Sequence, residues 1–484
     1  MDRSAARLGP AAGSLPAAER DLRQRGFLSR AHRRFAEYVE RQPEALLRSS
    51  YSSLHALDDA TLCLAQPWPV FLPDAKIRAF ESTAVAVARI LLDLPRRVFD
   101  NDPARFQEFY RIDRVHAKLI AALINTTDIL ASATTRGDFL ETADGLKCLE
   151  FNVSGSLGGW SAGAWTRRYL AEPLIRDFLA ETGLEVTYRD PARDFFRHLL
   201  VEAGPLAEEG ELNVALVVRE DRALGDTGRW EEDHKSDYRA ALASCPDLSG
   251  SVVACNVRSL RLEGNVLRFG DRRIHVVMEA CLGELTPPVT TALMEGTVRV
   301  YDGPVQRVIA DKLNLALLSE LADSDLWTAA ERETIRAHVP WTRRVSAEFV
   351  EFEGERVYLP DLLCDQQERM VIKPGFGAHG DDVFIGPATA RGEWMEVVER
   401  ALGDRGWVAQ EFLEGTPYLF QADDDPERPP CAHDLVWGLF TFGEQYGGCF
   451  VRLMAQGGPG VINATRGACV GAVLEVAEDP DGSA

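Results

Sequence analysis

The sequence predicts a mixed α/β and α+β protein of more than one domain, on three observations. Apolar residues recur at three- and four-residue spacing through residues 19–130, as in Val87 to Leu94 and Val115 to Ile124, which is the period of amphipathic helices. Two pairs of short apolar or β-branched runs, each pair joined by a turn containing glycine, read as β-hairpins at residues 138–152 and 370–385. Between them, residues 211–284 alternate strands with helical stretches, the pattern of a small α/β unit. A chain of 484 residues with 46% hydrophobic content has room for two or three domains and a sizeable core. The expected organisation is a loose tail over 1–18 rich in Ala, Gly and Pro, a helical region over 19–130, a hairpin and following helix over 131–195, an α/β domain over 196–300, and a final region over 301–484.

Charge narrows the partners. With 53 basic and 75 acidic residues the net charge is −22, and no Lys/Arg run is long enough to track a phosphate backbone. Nucleic acid and anionic membrane are therefore not expected partners. The nine cysteines are scattered without a C-x-x-C pair, so neither zinc spacing nor a disulfide framework is visible, and buried thiols in a reducing compartment are expected. The first twenty residues have no continuous apolar core and no run reaches the length of a membrane span. The expectation is a soluble, cytoplasmic protein.

In the helical region, Pro67-Trp68-Pro69 and Pro73 are expected to separate helices. The character then changes. Asp138-Phe139-Leu140 and Leu146 to Asn152 are two strand-like runs joined by a turn at Asp144-Gly145. Side chains two apart on a strand share a face, so Glu150 and Asn152 point the same way, and the turn can bring Asp138 beside them. Carboxylate and amide oxygens on one surface make a hard-cation site of the kind that holds Mg²⁺. The same pattern also describes a half-exposed sheet with its polar residues outward. Beyond it, Gly159-Trp160-Ser161-Ala162-Gly163 spells G-x-S-x-G. A nucleophile elbow needs a strand ending at the first glycine, whereas glycine-rich loop precedes it here, so a helix N-terminus at Ser161 is the competing reading.

Strands are expected at Leu212 to Val218, Ser251 to Val257, Arg268-Phe269 and Ile274 to Met278, with a helix over Trp230 to Ala243. Arg219-Glu220-Asp221, at a strand's carboxyl end, is either a substrate edge or a solvated loop. Tyr301-Asp302-Gly303-Pro304 breaks the chain before a helix expected over Val305 to Leu321, which carries Lys312. From Val371 to Gly386, a strand ending in Lys373 leads into a loop with Gly375, Gly377 and Gly380 and then a second strand. Glycines there permit positive φ and close approach of backbone N–H groups, which together with an ammonium suit a polyphosphate. The loop also spells G-x-G-x-x-G, but a strand and not a helix follows it, which departs from a dinucleotide fingerprint. An ordinary glycine hairpin is the remaining alternative. A helical segment, Arg391 to Leu402, precedes the strand Trp407 to Leu413, which turns polar at Gln410-Glu411. Strands at Leu435 to Phe442 and Gly447 to Arg452 follow, and Asn463 and Arg466 are candidates for phosphate or substrate contacts.

The order of strand with Lys373-Pro374, glycine hairpin, helix and strand with Gln410-Glu411 resembles the nucleotide-binding half of the ATP-grasp ligases. The resemblance implies that Lys373 touches ATP phosphates, that Gly375, Gly377 and Gly380 form the flap over them, and that Gln410 and Glu411 lie at the adenine. Glu150-x-Asn152, preceded by Asp138 and by Arg136 two residues earlier, resembles the magnesium ligands and phosphate-binding arginine of glutathionylspermidine synthase-like members. In the standard order the E-x-N segment follows the Gln-Glu strand; here it lies more than two hundred residues before it. The resemblance is therefore to the circularly permuted ATP-grasp group. It implies an ATP-grasp fold with a pre-ATP-grasp-like α/β domain over 196–300, a nucleotide role for Lys312, and a second phosphate-contacting arginine at Arg452, although Leu453 stands where that pattern has an acid. The implied activity is an ATP- and Mg²⁺-dependent carboxylate–amine ligase working through an acyl phosphate on small-molecule or peptide substrates, which the motifs do not identify. Two readings from other classes stay open: a non-catalytic binding scaffold on the same fold, and a serine hydrolase using Ser161.

Overall fold

The computed structural model describes residues 26–42, 64–126, 128–154, 157–160, 162–207, 210–217, 232, 235–279, 285–301, 303–377, 382–422, 428–458, 460–463 and 466–477. Strands are numbered in chain order. The largest sheet runs β1 (Leu64–Ala65), β22 (Cys469–Gly471), β21 (Gln445–Ala455), β20 (Cys431–Phe442), β3 (Thr134–Thr142) and β4 (Gly145–Val153), with β19 (Tyr418–Phe420) also paired to β20. A parallel sheet is ordered β12 (Arg299–Tyr301), β11 (Val276–Glu279), β6 (Val214–Val217) and β7 (Val252–Cys255). An antiparallel sheet is ordered β13 (Thr342–Arg344), β18 (Trp407–Glu411), β16 (Met370–Pro374) and β17 (Phe384–Ile385). Smaller sheets join β2 (Val70–Pro73), β23 (Val473–Val476) and β5 (Val186–Thr187), then β8 (Arg261–Glu263), β9 (Val266–Phe269) and β10 (Arg272–Arg273), and β14 (Phe349–Phe352) with β15 (Glu355–Tyr358).

Both hairpins form where alternation placed them. In β3–β4, Asp138 pairs with Glu150 and Arg136 with Asn152, with a register shift after Asp138. In β16–β17, Val371 pairs with Ile385 and Ile372 with Phe384. One face of the large sheet takes Phe139, Phe151, Trp437 and Leu439 into the main core. There Phe80, from the helix Asp74–Phe99, meets Trp437 edge to face at 4.9 Å. Because side chains alternate, Arg136, Asp138, Glu150 and Asn152 are left on the opposite face. Likewise Met370, Ile372 and Ala409 pack on Trp394, Val397 and Val398 of the helix Arg391–Gly403. The other face of that sheet carries Lys373 and Gln410.

Two expectations are corrected. The Pro67–Pro73 stretch does lie between helices, with Pro73 directly preceding Asp74–Phe99, but it is more than a break: it lies between and within β1 and β2, and Val70, Phe71 and Leu72 are completely buried. Both strands pair in parallel with strands near the far end of the chain, β1 with β22 and β2 with β23. Burial of an apolar run in a sheet outweighed the local helical context. The helix expected over 305–321 is also two helices, Gln306–Ile309 and Leu313–Glu320. The Asp311 side chain accepts from Leu313 N at 3.0 Å, and the Asn314 amide donates to the Val308 and Ile309 carbonyls at 2.8 and 3.0 Å. The backbone groups released by the break are thereby satisfied. Among the described residues, no helix is long and apolar enough to cross a membrane.

Candidate functional site

Lys373 leaves β16 on the face away from the helix and reaches β4 of the large sheet, donating to Leu149 O at 2.8 Å and to Gln410 Oε1 at 2.9 Å. Gln410 is fixed in turn, its Nε2 donating to Thr342 Oγ1 at 3.0 Å. Lys373 is only 6% exposed. Burial pulls its pKa from 10.5 to about 8, with Glu150 opposing and the neighbouring Lys312 adding to the shift. Lys312 opens the second of the two helices and, unlike an ordinary surface lysine, is itself buried. Its Nζ lies 3.0 Å from Glu150 Oε1 and donates to Gly377 O at 3.2 Å, while its backbone N donates to Gly375 O at 2.7 Å. The break between the helices is what frees that N–H for the loop.

On the large sheet, Arg136 Nε and Nη2 donate to the two oxygens of Asp138 at 2.8 and 3.0 Å, and Nη1 donates to Gly158 O at 2.7 Å. Arg452, carried by β21 beyond β20, brings Nη2 to 2.9 Å from Asp138 Oδ2. That contact is an ion pair, and it leaves Arg452 Nε buried without a hydrogen-bond partner. Burial would raise the Asp138 carboxyl, but Arg136 and then Arg452 outweigh it and hold it below the usual carboxylate range. The arginines can lie across β20 because the residue opposite Asp138 is Gly438. A Cβ there would stand 2.8 Å from Arg136 Cδ and 3.2 Å from Asp138 Oδ1. Gly438→Ala is accordingly expected to lower stability by about 1–3 kcal/mol by forcing Arg136 aside, measured by urea unfolding.

Arg136, Lys312, Lys373 and Arg452 thus gather with Asp138 and Glu150, four positive charges against two negative, an excess of +2 in a chain whose net charge is −22. A buried charge excess is expensive without a counter-ion. The arrangement therefore suits a multiply charged anion.

Some placements differ from the sequence reading. Gly375 and Gly377 do not use positive φ. Gly375 is instead required by close approach, since a Cβ would stand 2.6 Å from Asp311 Oδ1 and 3.1 Å from Gly406 O. Glu411 and Gln410 point to opposite faces of β18, and Glu411 lies 3.7 Å from Arg369 and not beside Lys373. Asn463 and Arg466 both precede β22, with Arg466 N donating to Asn463 O at 2.9 Å. Gly380, Ser161 and Arg219-Glu220-Asp221 lie outside the described residues. Sequence reasoning passed over Gly438 and Thr342. A glycine set between Trp437 and Leu439 inside a strand is the available signal for close approach.

The three oxygen-bearing residues fit a cation unequally. Among the described residues no group of three or more His, Cys, Asp or Glu side chains is placed to hold a metal ion. Both oxygens of Asp138 are engaged by guanidinium groups. Glu150 contacts Lys312 through Oε1, and Asn152 donates through Nδ2 to Arg136 O at 3.4 Å, so its Oδ1 is the atom left to coordinate. Glu150 and Asn152 are hard oxygen donors on one face and fit Mg²⁺.

No protein-family model matches the chain, and no curated protein matches it in sequence. Among solved structures, it is similar to the apo form of a glutathione synthetase-like effector from Globodera pallida, at 13% identity and a TM-score of 0.56, over 90% of this chain and 97% of that one. At that identity the likeness is one of fold, and the mixed α/β fold of this chain is of the glutathione synthetase-like effector's kind.

Proposed function

We propose that the chain is an ATP-dependent carboxylate–amine ligase of the circularly permuted ATP-grasp kind. The observation that carries the reading is Arg452, a buried guanidinium that shares Asp138 with Arg136 and keeps a buried Nε without a hydrogen-bond partner, in a cluster that holds more positive than negative charge. In this reading Lys373, Lys312 and the Gly375–Gly377 backbone hold the polyphosphate, and Arg136 and Arg452 receive the transferred phosphoryl group. Asp138 orients both arginines. Glu150 and Asn152 hold Mg²⁺, which supplies charge neutralisation at the phosphates. The Gln410 side chain is committed to Lys373 and Thr342, so the adenine edge is left to the backbone of β18.

The chemistry needs no protein nucleophile. A carboxylate oxygen attacks the γ-phosphorus and ADP departs; an amine then attacks the acyl carbon and inorganic phosphate departs. Positioning and electrostatic stabilisation of the phosphoryl oxygens account for most of the catalysis. The parallel sheet β12-β11-β6-β7 is assigned to the acceptor side, in the manner of a pre-ATP-grasp domain. A second reading, a non-catalytic binding scaffold, is favoured by one observation: both Asp138 oxygens are taken up by arginines.

The test is magnesium-dependent nucleotide binding by calorimetry, with phosphate release against a panel of acids and amines. Binding with turnover for a particular pair is expected, and Glu150→Ala should raise the Mg²⁺ concentration for half-maximal activity about tenfold. Nucleotide binding without any turnover would support the scaffold. Absence of nucleotide binding would overturn both readings.

A further inference from the structure

The cationic cluster does not end at Arg136. Its Nη1 donates to Gly158 O, and two residues on, Trp160 stacks on Phe440 and Phe442 with ring centroids 5.5 and 5.8 Å apart. Phe440 is the cross-strand partner of Arg136 in β20–β3, so the aromatic group continues the same face of the large sheet. Trp160 also packs on Phe195 at 4.8 Å, and Phe195 meets Tyr301 edge to face at 5.4 Å. Tyr301 is the last residue of β12. This seam therefore lies between the large sheet and the carboxyl end of a parallel strand, the end at which ligands collect in open α/β sheets.

Two donors in the seam have no partner: Trp160 Nε1 and Tyr301 Oη are both buried and make no hydrogen bond. Tyr301 is only 7% exposed. Each such group forfeits the hydrogen bond it would make to water, and an unpaired buried donor calls for an explanation. Two of them against the same phenylalanine, adjoining the cationic cluster, have a common one. The rings around the two donors are aromatic, and the charges that act on Tyr301 are one of each sign, Glu202 and Arg299, so the complement is an uncharged hydrogen-bond acceptor on an apolar body.

We infer that Trp160 and Tyr301 form a specificity subsite for the acid substrate, which carries a neutral carbonyl group beyond its reacting carboxylate. This rests on the ligase reading, with the carboxylate at Arg136 and Arg452 and the carbonyl-bearing body along the Trp160–Phe440 stack. A short free acid fills only the first part. The donors are left without a partner in the ligand-free protein because the partner arrives with the substrate.

The test uses the full chain and two series of monocarboxylates matched in length, N-acetyl-ω-amino acids and the corresponding straight-chain fatty acids. Each is titrated by calorimetry with Mg²⁺ and a non-hydrolysable ATP analogue, and again without them, for wild type and Tyr301→Phe. The expected result is that one length of the acetamido series binds about tenfold tighter than its fatty-acid match, and that Tyr301→Phe removes the difference while nucleotide binding is unchanged. The variant loses no protein hydrogen bond, so its ligand-free Tm should hold or rise, which separates a lost subsite from a damaged fold. Equal binding of the two series to wild type, or a preference untouched by Tyr301→Phe, would overturn the subsite. If nucleotide fails to bind but the acetamido preference and its loss in Tyr301→Phe persist, the subsite stands and the ligase reading falls.

Discussion

Asp138→Asn is expected to lower folding stability by about 3–5 kcal/mol, measured by urea unfolding at neutral pH. The carboxylate is 4% exposed and lies between Arg136 and Arg452. Asparagine fills nearly the same space, so the change removes charge and little packing. What remains is two buried guanidinium groups facing each other, with Glu150 as the nearest compensating acid for Arg136. The acid limb should report the same interaction. The folded carboxyl is held below its ordinary 3.8, so its contribution is complete above that value and is lost as pH falls through the lowered one. Asp138→Asn should lack this part of the acid slope. If the pocket is built for an anion, Mg·ATP should return part of the lost stability, because phosphate oxygens replace the missing charge. A variant within about 1 kcal/mol of wild type would show that water reaches the arginines, and the buried-cluster account would fail.

Much of this site was legible because its residues sit on hairpins. Alternation on 138–152 and the Asp144-Gly145 turn placed Asp138, Glu150 and Asn152 together, the resemblance added Arg136, and the paired register puts all four on the hairpin. The strand carrying Lys373 was readable for the same reason. Alternation on β18 sends Gln410 and Glu411 to opposite faces, which the resemblance, in placing both at the adenine, passed over. What the sequence did not carry is long-range pairing. Arg452 reaches Asp138 only because β20 is inserted between β3 and β21 with a glycine at the crossing, and no local period encodes which strands become neighbours. The strands within the Pro67–Pro73 stretch went unread for the same cause, since their pairing partners lie far along the chain. The contact from Lys312 N to Gly375 O is likewise made through the fold. The resemblance supplied the nucleotide and the metal; residue chemistry alone reached only a phosphate-friendly hairpin beside a hard-cation surface.

Lys373→Met is expected to reduce turnover on the order of a thousandfold, the scale for removing a preorganised charge donor at a reacting phosphate, while the ligand-free protein stays folded. Methionine matches the lysine stem. Its cost is the donor lost to Leu149 O and Gln410 Oε1, offset by removal of a buried ammonium. The wild type carries a sharper signature in pH. With the folded pKa near 8 and the ordinary value 10.5, the unfolded chain holds a proton in that window that the folded chain has released. Ligand-free stability should therefore rise with pH between those values, by about 3 kcal/mol in all, and be flat with respect to this group below pH 8. Nucleotide affinity should move the opposite way, falling as pH rises past 8, because only the ammonium attracts phosphate. Affinity measured by calorimetry and stability by urea unfolding, both from pH 7 to 10, should thus cross with opposite slopes, and Lys373→Met should lack both. Wild-type nucleotide affinity that holds constant through that range would remove Lys373 from the phosphates, and with it the role assigned to the glycine loop.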